Sequence, residues 1–345
     1  MKHTFSNILL SRTDSIGDMV LALPMAKALK DQFPDMKVYF LGRDYTQPVV
    51  EACSYTDGFI KLEDFLQTQT LINGEPVSAI VHVKPFAPVA KRAKKLGIEW
   101  RVGTNHRVYH WNTCNKLINL SRKKSDLHEA QLNLKLLEPF GIDKEFSLQD
   151  ISDSYGLTNL DPLRKEFASL IDRTKYNLIL HPKSRGSARE WGLQNFIRLV
   201  KELDPARYKI FVTGTTAERQ ILQPLINEIS HKVTDITGAM ELGQFISFIS
   251  ACNGLIAAST GPLHLAAAMG KDAFGIYAPI RPLHPGRWGP IGKCAEVFVL
   301  DKECHDCAKN RAPCHCIAEV HPAWVKASLD SKADALHKTE FIHAN

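Results

Sequence analysis

Strand-like and helix-like segments alternate along this chain, and the alternation begins again near its middle. The apolar run at 7–10 predicts a first strand, and the helical spacing of apolar residues over 19–33 predicts a helix after it. The segment 176–181 predicts a second starting strand, again followed by helix and strand patterns. Such alternation is typical of βαβ units on parallel sheets. The sequence therefore predicts an α/β fold of two Rossmann-like, doubly wound domains that face each other across a cleft.

The length of 345 residues agrees with two domains of ordinary size. A helix predicted over 129–140 ends at Gly141, a residue type favoured at helix C-termini. The stretch 146–173 then has little strand pattern, so the connection between the domains is expected near its end. We expect an N-terminal domain over 1–172, a C-terminal domain over 173–322, and a terminal helix within 323–345 that could pack back on the first domain.

No run of residues is long and apolar enough to cross a bilayer, although 44% of the residues are hydrophobic. The N-terminal apolar run is short, and it is followed by Arg12, Asp14 and Asp18 rather than by a cleavage site. This pattern disfavours a signal peptide. We therefore expect a cytoplasmic protein.

Positive charge is concentrated between Lys84 and Lys124. This segment holds eleven Lys and Arg residues against one acid, Glu99, whereas the whole chain has a net charge of only +6. Such a block indicates an anionic partner: a phosphorylated ligand, nucleic acid or an anionic membrane surface. A merely solvated basic face is the alternative.

The turn after the first strand, 12–18, is the first candidate site. Ligands of open α/β sheets bind at the carboxyl ends of strands, often at the first strand–helix turn. Gly17 permits a tight turn, and the Gly-x-Gly-x-x-Gly pattern of dinucleotide sites is absent from it. Asp18 could be a catalytic base or simply a helix N-cap, and Asp14 is a second candidate for the base.

Three turns in the second half are candidate ligand sites. The loop 181–191 combines three cations, two hydroxyls and a Gly before a helix, which predicts a phosphate-binding loop or, alternatively, a solvated basic loop. The turn 259–264 places Gly261 and a Pro at a helix start, a geometry that suits a diphosphate. Glu218 follows a strand-end Gly and could bind a ribose or a base, although this pattern is weak by itself.

Taken in order, these segments resemble glycosyltransferase family 9, the heptosyltransferases. The resemblance rests on the Gly-Asp pair after the first strand, on the His…Arg-x-Trp segment ending at Trp191, and on Ser-Thr-Gly-x-x-His at 259–264. The segment from His128 to 142 is also similar to a helix of that family. The resemblance covers nearly the whole chain, and the ordered set is far more specific than any one motif.

The resemblance implies a GT-B fold and inverting transfer of heptose from ADP-heptose to the inner core of lipopolysaccharide, with no cofactor or metal. The sequence contains no Asp-x-Asp pair, which agrees with metal independence. By position, Asp18 matches the general base, Arg189 the diphosphate-binding cation and Glu218 the nucleoside-binding acid. The other implied donor-binding residues are Lys183, Ser184, Arg185, Ser259, Thr260, Gly261 and His264.

An acceptor that carries Kdo carboxylates and phosphates would dock on the basic block of the first domain. The candidate acceptor-binding residues are Asp14, Lys84, Lys91, Arg92, Arg101 and Arg107. The partners implied are an ADP-sugar donor, an anionic lipid-linked saccharide and, peripherally, the inner face of the inner membrane, without nucleic acid. Two positions depart from the family: Ser259 stands where many members have Asp, and Lys183 where a hydroxyl is common. The departure at Ser259 leaves open a transferred sugar other than heptose.

Two other readings remain open. A transferase or epimerase of the same fold could use a different nucleotide sugar, such as a UDP-linked one. A non-catalytic GT-B protein could bind nucleic acid or anionic lipid through the basic block, although it would need neither Asp18 nor Arg189. Four cysteines near the end of the second domain, Cys304, Cys307, Cys314 and Cys316, could form a structural zinc site, remain reduced or form disulfides.

Overall fold

The computed structural model describes residues 5–68, 71–72, 74–280, 284–302 and 314–343. The chain forms two compact units, Met1–Leu160 and Asp161–Asn345. The division between them falls earlier in the chain than the boundary expected at 172/173. No helix among the described residues is both long and apolar enough to cross a membrane.

The first unit contains a parallel sheet of six strands in the order β3-β2-β1-β6-β7-β8, and a separate hairpin, β4-β5. The strands are β1 Asn7–Ser11, β2 Lys37–Gly42, β3 Gly58–Lys61, β4 Leu71–Ile72, β5 Glu75–Pro76, β6 Ala79–Val81, β7 Trp100–Thr104 and β8 Lys116–Ile118. The helices are α1 Ile16–Val20, α2 Pro24–Gln32, α3 Gln47–Glu51, α4 Leu62–Gln67, α5 Ala87–Lys95, α6 Val108–Thr113, α7 Glu129–Leu134 and α8 Leu148–Ser152.

Strand β1 is the centre of this sheet. All five of its residues are buried, as expected for a strand covered by helices on both faces. Its Ile8 pairs with Val38 of β2 on one side and with Ala79 of β6 on the other. The chain thus builds outward in one direction from β1 to β3 and in the other from β6 to β8, so the strand order reverses beside β1.

Two predicted helices of this unit are interrupted by proline. The helix expected over 19–33 is two helices, α1 and α2, because Pro24 lies in the first turn of α2, where its missing N–H costs least. The helix expected over 129–140 is α7 followed by a 3-10 segment, Lys135–Phe140, which contains Pro139. Gly141 ends it with a φ of 77°, so the predicted C-cap is confirmed.

The second unit repeats the plan with six parallel strands in the order β11-β10-β9-β12-β13-β14. The strands are β9 Tyr176–His181, β10 Tyr208–Val212, β11 Val233–Asp235, β12 Gly254–Ala258, β13 Asp272–Ile276 and β14 Ala295–Phe298. The helices are α9 Lys165–Ala168, α10 Leu193–Glu202, α11 Arg219–Ile229, α12 Leu242–Ala251, α13 Gly261–Ala268, α14 Pro285–Trp288, α15 His315–Ala318 and α16 Pro322–His343. The prediction of an α/β fold with two doubly wound sheets is confirmed.

The long terminal helix α16 packs on α10 of the second unit. Its Val325, Leu329 and Ala333 are buried and belong to the hydrophobic core of that unit. The described side chains of this helix therefore pack in the core of the second unit. The sequence had suggested that the helix could pack back on the first domain.

Candidate functional sites

The turn after β1 occupies the carboxyl edge of the first sheet, where the strand order reverses. The backbone N–H of Arg12 donates to the Leu41 carbonyl at the end of β2, at 2.9 Å. The N–H of Lys84, just beyond β6, donates to the Ser11 carbonyl, also at 2.9 Å. Open α/β sheets bind ligands at this kind of position.

Arg12 is the centre of a buried cluster of charges in this turn. The residue is only 2% exposed. Its guanidinium lies 2.8 Å from Asp14 Oδ1 through Nε, contacts Asp18 Oδ1 through one terminal nitrogen, and lies 3.2 Å from Glu129 Oε1 through the other. Burial alone would lower the pKa of Arg12, but the three carboxylates raise it by more. The guanidinium is therefore a permanent charge that holds the three acids together.

A second arginine, Arg122, also contacts this cluster. Arg122 pairs with Glu129 and donates to Asn133 Oδ1 at 3.1 Å. The Asn133 Oδ1 also accepts from Arg12 at 3.3 Å, and its Nδ2 donates to the Leu21 carbonyl at 3.0 Å. Helix α7 brings Glu129 and Asn133 together because they are four residues apart on one face. Buried charges are stable only with such additional hydrogen bonds.

Asp14 and Asp18 share one guanidinium but differ in their proton affinity. Burial would raise the pKa of Asp18, but Arg12 and the Ser15 hydroxyl, which donates to Oδ2 at 2.5 Å, lower it below the ordinary value. Burial raises the pKa of Asp14, and this effect, with the nearby charge of Asp18, exceeds the lowering by Arg12 and Lys84. Asp18 is thus the firmly ionised carboxylate. Ser15, not Asp18, occupies the N-cap position of α1.

The candidate acceptor-binding cations have different surroundings. Lys84 Nζ lies 3.4 Å from Asp14 Oδ2, so it is part of the turn. Arg92 donates to the carbonyls of two residues near the end of α4, and Arg101 donates to the Thr113 carbonyl at 2.7 Å and to the Ile98 carbonyl. Lys91 on α5 and Arg107 before α6 are exposed. The structure therefore brings Lys84 to the charged cluster, while Arg92 and Arg101 brace the backbone of the unit.

In the second unit, the equivalent edge lies at the end of β9, between β10 and β12. His181 ends β9, and its Nδ1 lies 2.9 Å from Thr213 Oγ1 at the end of β10. Burial lowers the pKa of His181 to about 4, although Glu218 and Glu190 raise it. The ring is therefore neutral at pH 7 and acts as a hydrogen-bonding group.

The loop after β9 is organised by Glu190. This carboxylate pairs with Lys183 Nζ and accepts from the Ser184 N–H at 2.9 Å and from the Ser184 hydroxyl at 3.0 Å. Two residues implied as phosphate contacts thus surround one acidic side chain. An ammonium, a hydroxyl and a backbone N–H converging on a carboxylate form the donor set that an anion requires.

The tip of this loop is a tight turn with left-handed backbone. Arg185 and Gly186 have φ values of 51° and 79°, and the Ser187 N–H donates to the Ser184 carbonyl at 3.0 Å. Positive φ at both central residues is the geometry of a type I′ turn. A residue other than Gly, Asn or Asp is uncommon at positive φ. The backbone conformation of the exposed Arg185 is therefore energetically unfavourable. Arg189, the implied diphosphate-binding cation, is half-buried in the same loop.

Glu218 lies beyond the end of β10 with one oxygen engaged. Its Oε2 accepts from the Thr215 N–H at 2.8 Å and from the Thr215 hydroxyl at 2.9 Å, in a reciprocal capping arrangement. Its Oε1 is buried and has no hydrogen-bond partner among the described residues, and the whole residue is 6% exposed. A buried carboxylate oxygen of this kind requires a donor, and a ribose hydroxyl has the appropriate chemistry.

The turn after β12 leads directly into α13. Thr260 is the N-cap residue, and its buried hydroxyl has no hydrogen-bond partner within the described part of the chain. Gly261 and Pro262 form the first turn of this eight-residue helix, whose leading N–H groups suit an anion. Ser259 hydrogen-bonds the Tyr277 side chain, and His264 is buried one turn into the helix.

Among the described residues, no group of three or more His, Cys, Asp or Glu side chains is arranged to hold a metal ion. The side chains of Cys314 and Cys316 are buried in the core of the second unit. Cys304 and Cys307 lie outside the described residues, so the zinc, thiol and disulfide alternatives for the cluster remain predictions.

Local sequence patterns do not identify the charged partners that hold both turns. Arg12 interrupts an apolar run, and its position between a buried strand and two acids is the signal that indicates an ion pair. Glu129 begins a predicted helix, and no local pattern indicates its charged partners. Glu190 lies in a basic loop, where one acid beside three cations is a natural pairing partner.

Comparisons with known proteins identify the family of the chain. The family model of glycosyltransferase family 9 (heptosyltransferase) matches residues 88–318. A Haemophilus influenzae protein provisionally named a glycosyltransferase is 25% identical over 301 residues, which are 82% of this chain and 86% of that protein.

Two solved structures are similar in fold. A family 9 glycosyltransferase from Veillonella parvula has a TM-score of 0.80 at 17% identity, with 96% of this chain and 98% of that one covered. The ADP-heptose lipopolysaccharide heptosyltransferase II of Escherichia coli has a TM-score of 0.73 at 15% identity, with 97% and 99% covered. The resemblance seen in the sequence is thus confirmed by the family match, and the GT-B fold by the two structures.

Proposed function

The chain belongs to glycosyltransferase family 9, and from that premise we propose that it transfers heptose from ADP-heptose to the inner core of lipopolysaccharide. We propose further that the transfer inverts the anomeric centre and needs no metal ion. The observation that carries the proposal is the family match over residues 88–318, together with an ionised carboxylate after β1 and an anion-binding donor set after β9.

The acceptor half of the reaction belongs to the turn after β1. An inverting displacement needs a base that takes the proton of the attacking hydroxyl. Asp18 is ionised, and each of its two oxygens has one assigned donor, Arg12 or Ser15. A carboxylate offers about four acceptor positions in all, so room remains for the hydroxyl of the acceptor. Lys84, beside Asp14, supplies positive charge for an acidic sugar.

The donor half belongs to the turns after β9, β10 and β12. The leaving group is a diphosphate, and its developing charge is stabilised by fixed cations and N–H dipoles. Lys183, Arg185, Arg189 and the N-terminus of α13 supply these. The unpartnered Glu218 oxygen supports recognition of a nucleoside, since it would accept from a ribose hydroxyl. These groups provide the positive charge that a metal ion supplies in other transferases.

The proposed acceptor is lipid-linked, so we place the reaction in the cytoplasm at the inner face of the inner membrane. The excess of Lys and Arg between Lys84 and Lys124 supports this location because such a surface attracts anionic lipid.

Incubation of the purified chain with ADP-heptose and a core saccharide that ends in its acidic Kdo region tests the proposal. We expect ADP release, a product heavier by one heptose, an inverted anomeric signal by NMR, and an unchanged rate in EDTA. Parallel reactions with UDP-N-acetylglucosamine and ADP-ribose test the donor. Turnover with the UDP sugar and none with ADP-heptose would contradict the proposed donor, and a rate abolished by EDTA would contradict metal independence.

A further inference from the structure

Helix α6 carries two apolar side chains on the surface of the first unit. Val108 is 71% exposed and Trp111 is 61% exposed. They are three residues apart, so they lie on the same face of the helix. The indole Nε1 donates to the Asn105 carbonyl at 2.8 Å. Since the polar atom of the ring is bonded within the protein, the exposed part of the ring is apolar and its orientation is fixed.

The same surface is positively charged. Arg107 is exposed and immediately precedes Val108. Lys94 of α5 donates through Nζ to the Asn112 carbonyl at 2.7 Å, which places its ammonium beside the residue that follows Trp111. The surrounding segment, 84–124, contains eleven Lys and Arg residues and one acidic residue. This surface therefore suits a partner that is both apolar and anionic.

We propose that Lys94, Arg107, Val108 and Trp111, here called the α6 surface, dock the enzyme on an anionic lipid bilayer. Trp belongs among the side chains that favour the boundary between headgroups and acyl chains, and a neighbouring Lys or Arg gains from the negative surface potential of anionic lipid. Burial of apolar area in the interface and attraction of cations to anionic lipid both strengthen the binding of a protein to a membrane surface. The inference deepens the proposed function, on which it rests for a lipid-linked acceptor, by naming the surface that meets the membrane.

The first test measures binding of the full chain to vesicles of phosphatidylcholine, alone or mixed with an equal part of phosphatidylglycerol. We expect sedimentation with the anionic vesicles, weakened by salt. Trp111→Ser should lower the partition coefficient roughly ten-fold, and Lys94→Gln about five-fold. Trp324→Ser on α16, where the native Trp is 51% exposed, and Lys165→Gln on α9 are matched controls that should bind like the unsubstituted chain.

Loss of the Trp111 hydrogen bond could itself change the local structure, so Val108→Ser is a second variant that leaves this bond in place. It should also lower vesicle binding, while the thermal midpoint of unfolding stays constant. Tryptophan fluorescence gives a second measurement: a blue shift on adding anionic vesicles should persist in Trp324→Phe and disappear in Trp111→Phe. Transfer to the lipid-free core saccharide should be unaffected by Val108→Ser and Trp111→Ser.

Three results would overturn the docking surface. These are equal vesicle binding by the Trp111→Ser and Trp324→Ser variants, equal binding to neutral and anionic vesicles, and binding to a single-stranded oligonucleotide but not to vesicles. Loss of transfer to the lipid-free saccharide in Trp111→Ser, with vesicle binding intact, would instead assign the surface to the acceptor and also refute docking. Vesicle binding that depends on Trp111, without any transfer by the unsubstituted chain, would support docking and count against the proposed function.

Discussion

Replacement of Asp18 by Asn removes the carboxylate charge while preserving the shape of the side chain. If Asp18 is the base, kcat should fall by about 10²–10⁴-fold, which corresponds to about 2.7–5.4 kcal/mol of transition-state stabilisation. Donor binding should be nearly unchanged because the proposed donor-binding groups belong to the second unit. Single-turnover transfer from ADP-heptose measures the first quantity, and calorimetric titration with ADP measures the second.

The pH dependence separates Asp18 from Asp14. The pKa of Asp18 is lowered from the ordinary 3.8 and that of Asp14 is raised from it. With Asp18 as the base, kcat/KM should therefore stay level as the pH falls toward the ordinary pKa of 3.8 and decline only below it. With Asp14 as the base, the decline should begin above the ordinary pKa.

Stability provides an independent check on the ion pair with Arg12. Because the folded-state pKa of Asp18 lies below its unfolded value, its contribution to the free energy of unfolding is present above the unfolded pKa and is lost as the pH falls through the folded one. Asp18→Asn should lower that free energy by on the order of 1–3 kcal/mol at pH 7 and less in acid. Asp14→Asn is the comparison variant. An Asp18→Asn rate within ten-fold of the unsubstituted enzyme, with a large loss in Asp14→Asn, would refute the assignment of the base to Asp18.

Three further changes test the donor turns. Glu218→Gln should weaken ADP binding about ten-fold in calorimetry, because an amide N–H₂ placed at the buried Oε1 position repels a hydroxyl donor; unchanged affinity would contradict the nucleoside role. Glu190→Gln should tighten ADP binding a few-fold, since the carboxylate competes with phosphate for Lys183 and Ser184, whereas weaker binding would mean that Glu190 mainly orders the loop. Arg185→Gly should raise the free energy of unfolding by up to about 1 kcal/mol in urea, because the φ of 51° disfavours a side chain, and should weaken ADP binding through loss of one cation.

The fold follows from the sequence wherever the information is local. The buried run of β1 and the helical spacing behind it identify the starting unit of each sheet, and Gly141 marks a helix end. The prediction fails at Pro24 and Pro139, where a continuous apolar spacing passes over a residue that cannot donate an internal hydrogen bond. Spacing alone describes which face of a segment is apolar and not whether its backbone bonds are continuous.

The candidate site also contains residues that local sequence identifies and residues that it does not. Residues that follow a strand within a few positions, such as Asp18, Thr260 and Lys183, could be chosen from sequence because parallel sheets gather their ligands at one edge. The Arg12 contact with Glu129 spans 117 positions, and nothing in either neighbourhood names the other residue. Pairing of this kind is determined by helix packing, which the sequence pattern leaves open.

Arg12 and Glu190 have the same physical role, since each pairs with a candidate site residue of opposite charge. In the first unit, Arg12 keeps Asp18 ionised at the cost of making it a weaker base; in the second, Glu190 holds Lys183 and Ser184 in the arrangement that an anion needs. The burial of a charge is costly unless the charge is paired, so a site built from buried charges includes their counter-ions. The partner therefore limits both the proton affinity of Asp18, the proposed base, and the affinity of the loop for the phosphate that it is proposed to bind. It follows that substitution of Arg12 or Glu190 should change the pH profile or the ADP affinity even though neither residue has to touch the sugar that is transferred.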